Sequence, residues 1–341
     1  METLRILAML GILVVHSDFF ALGAPSADEC TTSPLTSFWR FSIESFTIVS
    51  VNLFVLISGW FGIHPKRVRL LEFLFQILFF NVFLFCVFSI IMPERTLTRA
   101  GIESILMLDD RFWFVKAYLM LYFLSPVLNK FVCLSTKEQT YILLGFFIFQ
   151  SVYGWLYPSV SWFRLGYSTM SFIGLYFLAQ YYRNTVPLNL GGKSLIVKRL
   201  FLFVVLTLLN TLIAYECMKH GKGHYMDMIY AYNSPLVIVS SLSLFLVFTK
   251  LHFQNQSINY IAISSFAAFL FHANYFFLRY VFVPTLQTWH NNDSLFLFSL
   301  KTVSFIVILF IVAVFIDKIR ILVWRRFIES KLISIFLNKH K

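Results

Sequence analysis

Long apolar runs dominate the chain, broken at intervals by proline, glycine and small polar clusters. Most approach or exceed the roughly 20 residues an α-helix needs to cross the hydrocarbon core of a bilayer, so the pattern predicts spanning helices. Ten are expected, over residues 4–22, 42–63, 69–92, 111–133, 139–157, 167–183, 196–216, 229–250, 258–283 and 295–317. The breaks fall at Pro25 to Pro34, His64-Pro65, Pro93-Glu94, Ser135-Thr136, Pro158, Pro187 to Gly192, Gly221 to Gly223 and Pro284 to Asp293, with 250–257 the least marked. A closed β-barrel, the other spanning solution, would show short alternating strands instead of continuous runs.

Composition sharpens this to a class. With 59% hydrophobic and 13% charged residues, the chain is too apolar for a soluble globular protein. We expect an all-α, polytopic integral membrane protein, with one transmembrane domain over 1–317 and a basic, amphipathic cytoplasmic tail over 318–341. In that tail Ile319, Leu322, Val323, Phe327, Ile328, Leu332 and Phe336 recur near helical spacing among Lys318, Arg320, Arg325, Arg326 and Lys331. Such a helix suits the anionic inner leaflet.

The net charge of +12 would suggest nucleic acid in a soluble chain, but its distribution points to the bilayer and no nucleic-acid partner is expected. If the N-terminus is cytoplasmic, Arg5, Lys66, Arg67, Arg69, Lys130, Lys137, Arg183, Lys193, Lys198, Arg199, Lys250 and the tail fall inside. Arg40, Arg95, Arg99, Arg111, Arg164, Lys219 and Lys222 then fall outside. The asymmetry places both termini in the cytoplasm. Four cysteines show no metal-ligand spacing; Cys30 and Cys217 share the outer side, which leaves a disulfide between them open. Glu216, His220 and His224 have ligand spacing, yet Gly221 and Gly223 break the helix that would align them, so no metal site is expected.

The candidate chemistry begins in the first span. Arg5 and His16 are eleven residues apart, about 16 Å along an α-helix and only about 20° apart around it, so both look out of one face. An ionisable group inside a bilayer is costly unless it faces a bundle interior or water. The plainer alternatives are that Arg5 is a positive-inside anchor and His16 a hydrogen-bonded packing residue. A cleaved signal peptide ending near Ala21-Leu-Gly-Ala24 is disfavoured by the many spans that come after it.

By depth along the expected helices, His16, Asp18, Glu44, Lys116, His272, Arg279 and Lys301 fall in the outer half. Glu44 and Lys116 form a candidate ion pair at matched depth, since buried charges usually survive by pairing. Lys301 can snorkel to the interface. On the inner side, Lys66, Arg67 and Arg69 make either a topogenic loop or a basic entrance for an anionic donor.

These residues, in order, give the chain a resemblance to the membrane-bound acyltransferase family 3, integral-membrane O-acyltransferases of bacterial surface polysaccharides. Arg5 and His16 match its R/K-x10-H signature. Asn52 to Ser58-Gly59 resembles its aromatic-rich segment ending in Ser-Gly, and Lys66-Arg67-Val-Arg69 its basic motif. Phe112-Trp113-Phe114-Val-Lys116-Ala-Tyr118 is similar to its Trp-containing fourth segment, Phe172-Ile-Gly174 to its sixth, and Phe269-Leu-Phe-His272 to its late Leu-x-His. The resemblance covers about residues 4–320. Lys116 and Lys66 depart from the commoner pattern, where a neutral residue and an arginine stand.

The resemblance implies a multi-pass protein of the bacterial inner membrane. It would move an acyl group, most often acetyl, from cytosolic acyl-CoA to a hydroxyl of a cell-surface polysaccharide or lipid-linked glycan. Acyl-CoA is then a donor substrate, with no bound cofactor. His16 and Arg5 are the implied catalytic pair, and Arg5, Lys66, Arg67 and Arg69 the binders of the acyl-CoA phosphates. Ser58, Gly59, Trp113, Lys116, Glu44 and His272 are expected to support the acceptor or the site. Ser58 reads as a close-packing residue rather than a nucleophile. Asp18, two positions beyond His16, is a weaker candidate to orient the ring. The competing function is a polysaccharide or lipid-linked sugar flippase without acyl transfer. It would carry inverted repeats, which the chain does not visibly have.

Overall fold

The computed structural model describes residues 1–106, 110–158, 161–185, 192–251 and 254–329. Among them regular structure is entirely helical. The principal helices are α1 (Glu2–Val15), α2 (Pro34–Thr47), α3 (Ser50–Phe61), α4 (Arg67–Ile91), α5 (Trp113–Leu128), α6 (Thr136–Phe149), α7 (Thr169–Thr185), α8 (Lys193–Lys219), α9 (Pro235–Phe248), α10 (Phe266–His272) and α11 (Leu295–Val323). Local chemistry sets several starts. Proline opens α2 and α9, where its missing N–H costs nothing. Ser135 and Glu138 form a reciprocal capping box at α6.

The chain divides into two compact units. The first comprises Met1–His64 and Trp113–Asn255, the second Pro65–Phe112 and the chain from Gln256 onward. Within the first, α3 packs against α1, α7 and α9, while α8 packs against α2 and α9. The α3–α7 contact depends on Gly59. A Cβ there would lie 2.6 Å from the carbonyl oxygen and 2.9 Å from the Cα of Tyr176, so only glycine lets the two backbones approach this closely. Within the second unit α10 packs against α4 and α11.

Four helical stretches among the described residues are long and apolar enough to cross a membrane: Glu2–Phe20, Pro34–Phe61, Arg67–Ile91 and Lys193–Lys219. The pair Gln256–His272 and Tyr275–Asn292, bent by 59°, makes a fifth if counted as one span. The expected ninth span is therefore broken in its middle.

The expected second span starts too late. Its helix begins at Pro34 rather than 42, with proline in its first turn, and Arg40, read from sequence as an outer-side charge, is buried within it (4% exposed). The last helix does not stop at 317 either. It runs to Val323 and continues as a π-helical turn over Trp324–Glu329. Arg320, expected on the polar face of a surface tail, is instead buried. It donates to Asp317 at 2.9 Å and pairs with Glu72 at 3.2 Å, and Gln76 donates to the same Asp317 oxygen at 2.9 Å. Residues 330–341 of the expected tail, and the expected breaks at 187–192 and 250–257 wholly or in part, lie outside the described residues.

Candidate functional site

Helix α1 carries the first pair. Its α-geometry holds from Glu2 to Val15, and His16 retains right-handed dihedrals (φ −73°, ψ −22°) at its end. The 100° per residue that puts Arg5 and His16 on one face therefore applies over the whole interval. At His16 the hydrogen-bonding widens into a π-helical turn, His16–Phe20. Such turns inside α-helices are uncommon and occur frequently at functional sites. The His16 ring is half-buried and tilted against Phe20, with centroids 5.1 Å apart.

The widened turn carries Asp18, whose carboxylate is engaged by α2. Arg40 Nε donates to Asp18 Oδ1 at 2.6 Å, both side chains being almost fully enclosed, and a second guanidinium nitrogen donates to the Gly23 carbonyl at 2.5 Å. Asp18 is thus spoken for by Arg40. Phe19 between them packs edge-on against Phe41 and Tyr230, fixing the turn against α2 and residue 230.

Glu44 lies one helical turn beyond Arg40 and is 3% exposed. The expected ion pair with Lys116 does not form: Lys116 is exposed, and Glu44 Oε2 has no hydrogen-bond partner. Matched depth was insufficient because the two residues face different surroundings. Glu44 lies instead within electrostatic reach of Arg40 and Asp18, and of the hydroxyls of Tyr167, Tyr230 and Tyr232. Trp113 opens α5 beside two of these tyrosines, with centroids 4.6 Å from Tyr167 and 5.6 Å from Tyr232.

A second group gathers toward the start of α1. Arg5 pairs with Glu2 at 2.7 Å, each about one-third exposed, and acts electrostatically on Tyr118. Ser58 Oγ donates to the Phe54 carbonyl at 2.9 Å and lies 3.2 Å from the Tyr118 hydroxyl. Arg5, Ser58 and Tyr118, from three helices, therefore belong to one neighbourhood. Ser58 back-bonds to its own helix and is not arranged as an activated nucleophile, which would need a base in hydrogen-bond contact.

The remaining expected residues lie in the second unit. Lys66 immediately precedes α4, and Arg67 and Arg69 occupy its first turn, all exposed. Cations at a helix N-terminus oppose the helix dipole, but cations and dipole together attract an anion. His272 ends α10 fully buried, its Nδ1 2.8 Å from the Ala268 carbonyl and its ring against Phe269 and Phe282. That contact assigns the proton to Nδ1, so a neutral ring presents Nε2 as an acceptor.

Other expectations are revised. Cys30 and Cys217 are both free thiols, so the disulfide left open by topology is not made; Cys30 is buried, which pushes its thiol up. Lys301 binds Asp293 at 2.8 Å rather than reaching for the interface alone. Sequence reasoning missed Arg40 as the partner of Asp18, and Tyr118 as the link between Arg5 and Ser58. For Tyr118 a signal existed, since it lies within the Trp-containing segment.

Residues 1–317 match the acyltransferase domain that defines acyltransferase family 3. The chain belongs to acyltransferase family 3. It is an acyltransferase on that membership, and the matched region takes in both units up to the last turns of α11. No curated protein and no solved structure matches it.

Proposed function

We propose that the protein is a membrane O-acyltransferase of the bacterial inner membrane, with about ten spans and both termini cytoplasmic. It transfers an acyl group, in the first instance acetyl, from cytosolic acyl-CoA to a hydroxyl of a cell-surface polysaccharide or lipid-linked glycan. The observation that carries this reading is the unbroken α-geometry between Arg5 and His16, which keeps cation and imidazole on one face about 16 Å apart. That is the order of length a pantetheine arm must bridge between phosphates and thioester.

In this reading Arg5 of the first unit, and by themselves Lys66, Arg67 and Arg69 of the second, are the cations suited to the donor phosphates, since guanidinium forks and point charges match phosphate oxygens. His16 takes the proton of the acceptor hydroxyl, a role for which imidazole is fitted near neutral pH. The acceptor oxygen attacks the thioester carbonyl carbon, the carbon–sulfur bond breaks, and the thiolate leaves as CoA, taking up a proton. The Asp18–Arg40 pair holds the turn that presents His16, and Tyr118 and Ser58 line the way from Arg5. Transfer assayed with labelled acetyl-CoA and a glycan acceptor in membranes tests the reading. Wild type should label the glycan and His16→Ala should not, whereas glycan movement without labelling would favour a flippase.

A further inference from the structure

Tyr167 is the exposed member of a cluster of three rings in the first unit. Its centroid lies 4.6 Å from Trp113 and 4.9 Å from Tyr232, its ring tilted at 58° and 59° to theirs, while Trp113 and Tyr232 stack on each other at 5.6 Å and 28°. Tyr232 is 5% exposed and Tyr167 40%, so the cluster is anchored at Tyr232 and presents the Tyr167 ring.

The backbone pays for this placement. Arg164 (φ 42°), Leu165 (φ 54°) and Gly166 (φ 95°) are three left-handed residues in succession, two of them bearing side chains. Such residues cost on the order of 1–3 kcal/mol each and persist only where their surroundings enforce them. Here the enforcement is contact with residue 232. The Tyr232 N–H donates to the Leu165 carbonyl at 3.1 Å, and a Cβ on Gly166 would lie 2.5 Å from Tyr232 Cβ. Asn52 Nδ2 in turn donates to the Tyr232 carbonyl at 2.9 Å. The strained turn holds Tyr167 against the other two rings.

Arg40 gives its hydrogen bonds to Asp18 and Gly23, which leaves the buried Glu44 carboxyl, its Oε2 without a hydrogen-bond partner, within electrostatic reach of the hydroxyls of Tyr167 and Tyr232. A carboxyl beside phenolic hydroxyls offers polar partners to a ligand that brings hydroxyl groups of its own.

We propose that Tyr167, backed by Trp113 and Tyr232, is the platform on which one sugar residue of the acceptor stacks. The apolar C–H face of a pyranose packs on an aromatic ring, while its edge hydroxyls meet the Tyr167 hydroxyl. Glu44 acts through the tyrosines as a positioning residue. The inference rests on the reading of a glycan acceptor above. A lipid tail would gain nothing from the polarised hydroxyls, and an adenine ring, which also stacks, is separated by the experiment.

The full-length protein in detergent is titrated with maltotetraose, cellotetraose and chitotetraose, and separately with 3′,5′-ADP, following tryptophan fluorescence. At least one tetrasaccharide should give a saturable change, weakened about tenfold or more in Tyr167→Ala and only partly restored in Tyr167→Phe, which keeps the ring but not the hydroxyl. Glu44→Gln should weaken saccharide binding less than Tyr167→Ala. Absence of saturation by every tetrasaccharide in wild type, or wild-type binding by a folded Tyr167→Ala, would overturn the proposal. So would Tyr167-dependent binding of 3′,5′-ADP. Thiol release from acetyl-CoA in the same samples reports the donor half. Its absence beside intact Tyr167-dependent saccharide binding removes the acyl-transfer reading alone, and the converse removes the platform alone.

Discussion

Asp18 and Arg40, 22 residues apart, meet through a 2.6 Å hydrogen bond from Nε to Oδ1 with both side chains almost fully enclosed. The pair ties the π-helical turn that begins at His16 to helix α2, and so fixes the direction in which α1 ends. A buried pair adds little net stability against apolar residues of the same shape, but removing one partner strands a charge.

Arg40→Met should therefore destabilise the protein by about 3–5 kcal/mol, because Asp18 is left buried and unpaired. The double variant Asp18→Asn/Arg40→Met should recover much of that loss. Thermal unfolding in detergent, followed by fluorescence-detected size exclusion, measures both.

The α3–α7 contact makes a second prediction. Gly59→Ala places a Cβ 2.6 Å from the Tyr176 carbonyl oxygen, which is backbone and cannot swing aside. Overpacking of this kind typically costs about 1–3 kcal/mol, so the melting temperature should fall without specific loss at the Arg5 or His16 positions. Ser58→Ala next to it loses only its contacts with Phe54 and Tyr118 and should be milder.

How much of this was legible in the sequence depends on how local its cause is. The face shared by Arg5 and His16 follows from helical period alone, and the period holds to Val15. The turn after it was not legible, since hydrogen bonds that skip to the fifth residue leave no spacing signature in one chain. Arg40 was misplaced because a lone arginine near a span end reads as topology, whereas its partner lies 22 residues upstream. The same limit defeated Glu44 and Lys116: depth along two helices is visible in sequence, and rotation about each helix relative to the other is not. The helical class, by contrast, was plain from the apolar runs, and the late-helix break between His272 and Tyr275 was hidden because Phe269-Leu-Phe before it and Phe276-Phe-Leu after it continue one apolar run.

The basic cluster at the start of α4 yields a third prediction. If Lys66, Arg67 and Arg69 bind the donor phosphates, replacing Arg67 and Arg69 with glutamine should raise the KM for acetyl-CoA by about tenfold or more. The maximal rate should fall less. The defect should be smaller with acetyl-pantetheine, which lacks those phosphates. Equal defects with both donors would assign the cluster to topology instead.

His272 separates from His16 in a fourth. Fully buried, with Nδ1 held by the Ala268 carbonyl and rings on both sides, it belongs to the packing of α10. His272→Ala should lower stability by about 2–4 kcal/mol through the cavity it leaves among Phe269 and Phe282. His16, half-buried, should be replaceable at smaller cost, so unfolding midpoints of the two variants rank them directly.

The most direct measurement is acyl transfer by the purified, full-length protein in proteoliposomes with labelled acetyl-CoA and a glycan acceptor, comparing wild type with His16→Ala at matched folded amounts. Loss of a general base lowers the rate by about 10²–10⁴-fold, and that loss in protein that remains folded, with a midpoint lowered less than in His272→Ala, is the predicted result. Transfer by His16→Ala at the wild-type rate would contradict the assignment of proton abstraction to the imidazole at the end of α1.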